Sequence, residues 1–359
     1  MKKYILAICI LGTLCSSCEN NQEKIRNVED WTQYVEPRIG TAHCRWFHFT
    51  PGALPFGLAK PAPSTNGSLG NKWGWEATGY DYRENTIEGF PCLHEFQVGG
   101  IVLMPTSGKL VTVPGLPTDS VKTGYRSHFS RENEIATAGY YSVLLDDYQI
   151  QAELTATPRV AFQRFTFPKG TDNHILFNIG NRQGESGAVK DAYVTYTADG
   201  HIEVWVITMP EYVKKYQPGA TVPLYFSAVL DRKPESYGSF HGNTQLADAK
   251  ESKGTGAGMY FTFSNEQQEA VTAKIGLSYT SVENARINLQ AEAEGKTFED
   301  AKEQAHQIWQ EYLGRIEVET SKKEDKVKFY TGLYHALLGR GLANDVNGAY
   351  PRNDGSVGQ

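Results

Sequence analysis

Cysteine is scarce in this chain and gathered at one end. Of five cysteines in 359 residues, Cys9, Cys15 and Cys18 lie in the first 18 positions, which leaves Cys44 and Cys92 for the body. Two cysteines make no disulfide framework. An exported chain can pair them, but two separate thiols near a site is the reading preferred here. Basic clusters are missing as well. The net charge is −6, and no Lys/Arg run is interleaved with aromatics. That argues against nucleic acid and other polyanionic partners, which a basic patch must hold. The apolar stretch Tyr4 to Leu14 falls short of the roughly 20 residues needed to span a bilayer. The glycine-rich Lys253-Gly-Thr-Gly-Ala-Gly-Met lacks a strand-to-helix context and a following Lys-Ser/Thr, so it is no phosphate loop. There is no nucleophile elbow and no Cys/His spacing of a zinc site. No internal repeat or low-complexity tract is present, and no helical period shows between residues 100 and 280.

What is abundant is turn-forming and β-forming. The sequence holds 35 Gly, 16 Pro, 20 Tyr and 16 Phe, with 40% apolar and 21% charged residues, a composition suited to a globular β-rich protein. Lys2 and Lys3, the short apolar stretch and Leu14-Cys15-Ser16-Ser17-Cys18 read as a bacterial lipoprotein signal over 1–17, with Cys18 lipidated. A plain secretory signal is the alternative. Residues 18–30 are a polar tether, and the acyl chains would place the protein at a membrane surface, periplasmic or cell-surface.

From residue 31 to 281 strand signals follow one another: Ile101–Pro105, Tyr140–Leu145, Ile150–Thr157, Val160–Phe167, His174–Ile179, Tyr193–Thr197, Ile202–Ile207, Leu224–Leu230, Met259–Phe263 and Ala270–Tyr279. Asp199-Gly200 is a hairpin turn between two of them. So many antiparallel strands predict a mainly β fold, a two-sheet β-sandwich. The texture changes after Thr280. A linker over 282–315 holds a helix Val282–Glu294 and a second that starts at a Thr297/Asp300 capping box and ends at Gly314. Residues 316–359 hold a helix Asp325–Leu342 and then turns, the start of a helical domain. Ending there, the helix should leave an apolar face (Phe329, Leu333, Tyr334, Leu337, Leu338) without a partner.

Three clusters have residues suited to chemistry. Thr41 to Gly52 holds His43, Arg45, Trp46 and His48 in a Gly/Pro-bounded loop. It suits a polar binding surface, or a loop that packs its aromatics and satisfies its histidines. Trp73 to Tyr82 offers Trp75 and Tyr80 as flat faces for sugar C–H groups, with Glu76 and Asp81 as acceptors for hydroxyls. A strand with alternate aromatics in the core reads the same way. Gly89 to Gly100 contains His94 beside Glu95, an acid/base pair if they cooperate, although neighbours on a strand face opposite ways and a satisfied structural histidine is the commoner outcome.

In order along the chain, Tyr34-Val-Glu-Pro-Arg-Ile-Gly-Thr, Thr50-Pro-Gly-Ala-Leu-Pro-Phe-Gly, Gly74-Trp75-Glu, Gly79-Tyr80, Gly89-Phe90, His94, Leu103-Met-Pro-Thr, Phe329-Tyr-Thr-Gly-Leu-Tyr-His335 and Asp345-Val-Asn-Gly-Ala-Tyr350 resemble glycoside hydrolase family 92. The resemblance implies an exo-acting, inverting, calcium-dependent α-mannosidase, of α-1,2 type, acting on N-glycans or mannans. It implies a supersandwich, galactose-mutarotase-like, then a helical linker and an (α/α)6 barrel. The acid, the base and most Ca2+ ligands would come from the barrel beyond these residues, so no catalytic or metal residue is carried over. Trp75 would contact the leaving mannose with Glu76 and His94 beside it, and Asp345 would face the terminal sugar. Cys92 replaces a histidine of the usual Ser-His-Thr-His, which marks a divergent branch. The expectation is therefore a carbohydrate-binding, non-catalytic part whose catalytic segment is missing or lies on a second chain. A glycan-capturing surface lipoprotein, or an adhesive sandwich with no sugar site, are the alternatives.

Overall fold

The computed structural model describes residues 29–42, 48–65, 79–95, 98–116, 123–180, 188–339 and 341–359. Cys18 and Cys44 lie outside them, as do the signal segment, most of the tether, Trp75 and Glu76. Two antiparallel sheets dominate. The larger has nine strands, in the order Glu251–Lys253, Ala188–Tyr196, Ile202–Met209, Val222–Leu230, Glu269–Ser278, Val160–Phe167, Ile150–Ala156, Tyr140–Leu145 and Glu134–Thr137. The smaller has six: Thr244–Ala247, Ser236–His241, Ala257–Asn265, Gly170–Asn178, Val98–Ser107 and Phe90–Glu95. The expected two-sheet sandwich is what the chain forms.

Alternation explains how the sheets face each other. Along Ile202–Met209 the residues Ile202, Val204, Val206 and Thr208 are buried, while Glu203, Trp205 and Ile207 point the other way, the period-two pattern of a strand with one face in a core. Phe177 of the small sheet packs against Phe226 of the large one at 6.2 Å between centroids, and Phe263 against Phe167 at 6.4 Å. Gln163, fully buried, bridges the two sheets by donating from Nε2 to the Phe90 carbonyl at 3.0 Å, which satisfies its N–H side while Oε1 has no partner among the described residues.

The first half of the strand Val160–Phe167 is buried on both faces because helices cover the outer one there. A short helix α1 spans Glu211–Tyr216; six residues are too few to display a period, which is why the sequence between 100 and 280 shows none. Helices α2 (Val282–Ala293), α3 (Phe298–Leu313) and α4 (Lys323–Leu338) follow the last strand. Val160 and Phe162 pack with Leu289, Ala293, Phe298 and Ala301. At Gly276 a Cβ would lie 2.3 Å from the Ala285 carbonyl oxygen, so α2 approaches the sheet as closely as only glycine permits. The Thr297/Asp300 capping box forms as expected. Helix α4 stops at Leu338, four residues short of the expected end, where Gly339 leaves helical geometry.

The apolar face expected to lack a partner on α4 is largely covered. A 3-10 turn at Trp31–Tyr34 and helix α3 pack on it, so that Tyr330, Tyr334 and Leu338 are buried with Trp31, Ala53 and Trp309. Trp309 also donates from Nε1 to the Ala53 carbonyl at 2.7 Å. Phe329 stays exposed.

Candidate functional site

The strand that carries His94 is extended sideways by the segment before it. Lys60, Ala62 and Ser64 donate their backbone N–H groups to the carbonyls of Cys92, Pro91 and Gly89. The same segment reaches α4 on its other side: Phe56 N–H donates to the Leu337 carbonyl, and Leu342 N–H to the Phe56 carbonyl. Residues 48–65 thus form a seam between the small sheet and the last helix.

Two polar contacts and one ring stack line that seam. His94 is 6% exposed, its ring stacks on Phe49 at 4.8 Å, and its Nδ1 lies 2.9 Å from the Lys60 carbonyl oxygen. A carbonyl only accepts, so it is Nδ1 that carries the proton in this contact. Lys60 is 1% exposed and donates from Nζ to the Gly339 carbonyl at 2.8 Å. A lysine so deep is rare, and its ammonium ties the sandwich side to the end of α4. The third contact is His48 stacked on His335 at 4.1 Å. Burial lowers the pKa of both rings; that of His335 falls to about 4, with the charge of His48 adding to the effect. The pair is neutral at pH 7.

The segment that carries Trp75 and Glu76 is held at both ends. Thr65 N–H and Oγ1 donate to the Gly79 carbonyl at 2.8 and 3.1 Å, and Asp81 N–H donates back to Thr65 Oγ1 at 2.9 Å. Two ion pairs, one buried and one half-buried, support this neck. Arg126 binds Glu88 at 2.7 Å and also donates to the Thr65 carbonyl. Arg131 binds Glu134 at 2.9 Å and donates to the carbonyls of Asp81, Tyr82 and Glu84. Tyr80, one of the aromatics offered as a sugar platform, is core: it is fully buried and donates to Glu134 at 2.8 Å, and burial followed by the carboxylate charge pushes its phenol well up.

Asp345 lies in the turn after α4, 1% exposed. Its Oδ1 accepts from Asn288 Nδ2 at 2.7 Å and its Oδ2 from Thr280 Oγ1 at 2.5 Å. The Asn288 side-chain oxygen Oδ1 in turn accepts from Val346 N–H at 2.9 Å. Arg159 donates from Nε to the Asn344 carbonyl at 2.7 Å while paired with Glu292 of α2. The structure thus places His94 on the small sheet and Asp345 against α2, in two different hydrogen-bonded networks. Cys92 is a free, buried thiol whose pKa burial raises. Among the described residues no three His, Cys, Asp or Glu side chains converge as a cation site, so no step is derived through calcium. Lys60 and the His48/His335 pair escaped sequence reasoning as a unit; the signal for Lys60 was a lone cation inside Gly57-Leu-Ala-Lys-Pro-Ala.

The profile of the glycosyl hydrolase family 92 N-terminal domain matches residues 34–278, and that of the family's catalytic domain matches 284–359. A protein of Arthroderma benhamiae described as an uncharacterized secreted glycosidase is 25% identical over 339 residues, covering 86% of this chain and 41% of that protein. A family 92 α-mannosidase of Bacteroides thetaiotaomicron, solved with mannoimidazole, superposes with a TM-score of 0.82 at 26% identity, over 92% of this chain and 43% of that one. An inverting mannosidase of the same organism superposes at 0.75 with 24% identity, over 92% of this chain and 43% of its own, and shares the fold. The chain spans less than half the length of these relatives.

Proposed function

From a chain that belongs to glycosyl hydrolase family 92, we propose one wall of an exo-acting, inverting α-mannosidase cleft, of α-1,2 type, acting on N-glycans or mannans. The 359-residue chain itself holds mannosides without cleaving them. The observation that carries this reading is the seam at the junction of the two family domains, where His94, Lys60 and α4 meet. In it His94 is the sandwich residue toward the sugar, and Trp75 and Glu76 are supplied by the segment pinned between Thr65 and Gly79. Asp345 belongs to the same proposal as the residue toward the terminal sugar.

Inversion takes a general acid and a general base roughly 6.5–9.5 Å apart, with room for a water. The buried carboxylates Asp81, Glu88, Glu134 and Asp345 are each committed to ion pairs or hydrogen bonds inside the protein. Charge already held in this way is poorly suited to shuttle protons. We assign acid, base and calcium ligands to a segment other than this one, in the same or a second chain. Export and lipidation at Cys18 complete the proposal.

The test is binding and turnover of α-1,2-mannobiose by the purified chain. Expected are measurable binding, a loss of about tenfold or more in Trp75→Ala, and no released mannose. Hydrolysis by the parent chain refutes the assignment of catalysis elsewhere; binding indifferent to Trp75 refutes the site. A second reading, a surface lipoprotein that captures glycans as its whole task, is favoured by the Leu14 to Cys18 signal. It predicts a lipidated protein in cells that binds mannosides with no partner chain, and that loses its lipid in Cys18→Ser.

A further inference from the structure

On the outer face of the nine-stranded sheet, beside α2, lies a cavity of about 420 Å³ lined by His201, Val229, Lys274, Arg286, Leu289 and Glu294, among others. That volume falls in the range of small-ligand sites. The nine-stranded sheet stands between this cavity and the small sheet that carries His94.

Its chemistry is that of a polyol site. The floor is alkyl, from Val229, Leu289 and Ala293. Its cations are already used: Arg286 is paired with Asp199 and Glu203, each at 2.7 Å, and Lys274 donates to the carbonyls of Ala293 and Lys296 at the end of α2. Counting Glu294 at the rim, the surroundings are slightly negative, which disfavours an anion. Hydrogen-bonding groups remain. His201 binds Ser227 Oγ through Nδ1 at 2.9 Å, which leaves Nε2 for a ligand. The side chains of Gln290 and Glu294 are exposed and make no hydrogen bond among the described residues. A neutral ligand with one apolar face and many hydroxyls meets all of these at once.

The same sheet face continues the surface. His201 and Glu203 point outward, as does Trp205, and the strand register sets Tyr193, Trp205 and Tyr225 side by side across three neighbouring strands. Neighbouring strands lie about 4.8 Å apart, so the row extends roughly 10 Å. All three rings are partly exposed, and Tyr193 lies 6.1 Å from Trp205 between centroids. Glu203 stands between cavity and row. We infer that this cavity and aromatic row are a second saccharide-binding site, for a neutral oligosaccharide whose end enters the cavity beside His201 and whose next units lie along Trp205.

Calorimetric titration of the whole chain carrying Trp75→Ala, which weakens the proposed primary site, separates this one from it. A mannotriose should bind with one site per chain, and inorganic phosphate should not bind. His201→Ala and, at the exposed rim, Gln290→Ala should each weaken the trisaccharide by about fivefold or more. Trp205→Ala should weaken mannotriose but spare methyl α-mannoside, which fills the cavity alone. Absence of saccharide binding in the Trp75→Ala chain, binding of phosphate in its place, or affinity unchanged by the His201 and Gln290 replacements overturns the site. Equal loss of both saccharides in Trp205→Ala overturns its extension along the row.

Discussion

The stacked imidazoles of His48 and His335 make the joint between sandwich and α4 sensitive to acid. An ordinary histidine titrates at 6.5, and burial beside His48 brings His335 to about 4. The folded-state value is depressed, so the folded protein favours the neutral ring. The stabilisation is complete above pH 6.5 and is lost as pH falls from there toward 4. With those two values the loss is about 2 kcal/mol at pH 5 and about 3 kcal/mol at pH 4. The perturbation that isolates it is His335→Phe, which keeps a ring against His48 and removes the proton site. Urea unfolding of parent and variant at pH 7 and pH 5 gives four free energies. His48, His174 and His201, whose pKa values burial also lowers, are present in both proteins and cancel in the difference. The parent should lose about 2 kcal/mol more than the variant between the two pH values. Equal losses would mean that the ring is solvated or charged in the folded protein, and the reasoning about this seam would fail.

Two further replacements test the helical side. Asp345→Ala leaves Asn288 and Thr280 without their acceptor in a buried place and should cost about 2–4 kcal/mol, read from thermal unfolding, with Asp345→Asn intermediate. Gly276→Ala sets a Cβ against the Ala285 carbonyl and should cost about 1–3 kcal/mol, seen as a lower unfolding midpoint.

The elements legible in the sequence are those whose own period decides their state. Ile202–Met209 alternates cleanly, and the Asp199-Gly200 turn closes its hairpin with Gly200 at φ +85°. The Thr297/Asp300 pair announced α3 because a cap is a local bargain between neighbours. Short edge strands stayed hidden: Thr244–Ala247 is exposed throughout and has no apolar rhythm to show. The partner of the α4 face could not be read either. Trp31 meets Tyr330 across 299 positions of sequence, at 5.3 Å between ring centroids, and no window of residues contains that information. The same holds for Lys60: its carbonyl orients His94 and its ammonium caps α4, two roles assigned by a fold that brings distant segments together.

At Asp345 the bonds that hold the fold and the proposed sugar contact fall on one carboxylate. An ionised carboxylate has about four acceptor positions. Two are used by Asn288 and Thr280, and those bonds latch the turn after α4 to the linker helix. The remaining two are enough to receive sugar hydroxyls, so the latch and the proposed sugar contact do not compete for lone pairs. They do compete for access, because a ligand must reach a side chain that is 1% exposed. A sugar that bound there would therefore have to enter where the turn 343–349 meets α2, and its affinity would depend on Asn288 and Arg159 as much as on the carboxylate itself. That dependence separates a residue held in place for a ligand from one held only for the fold.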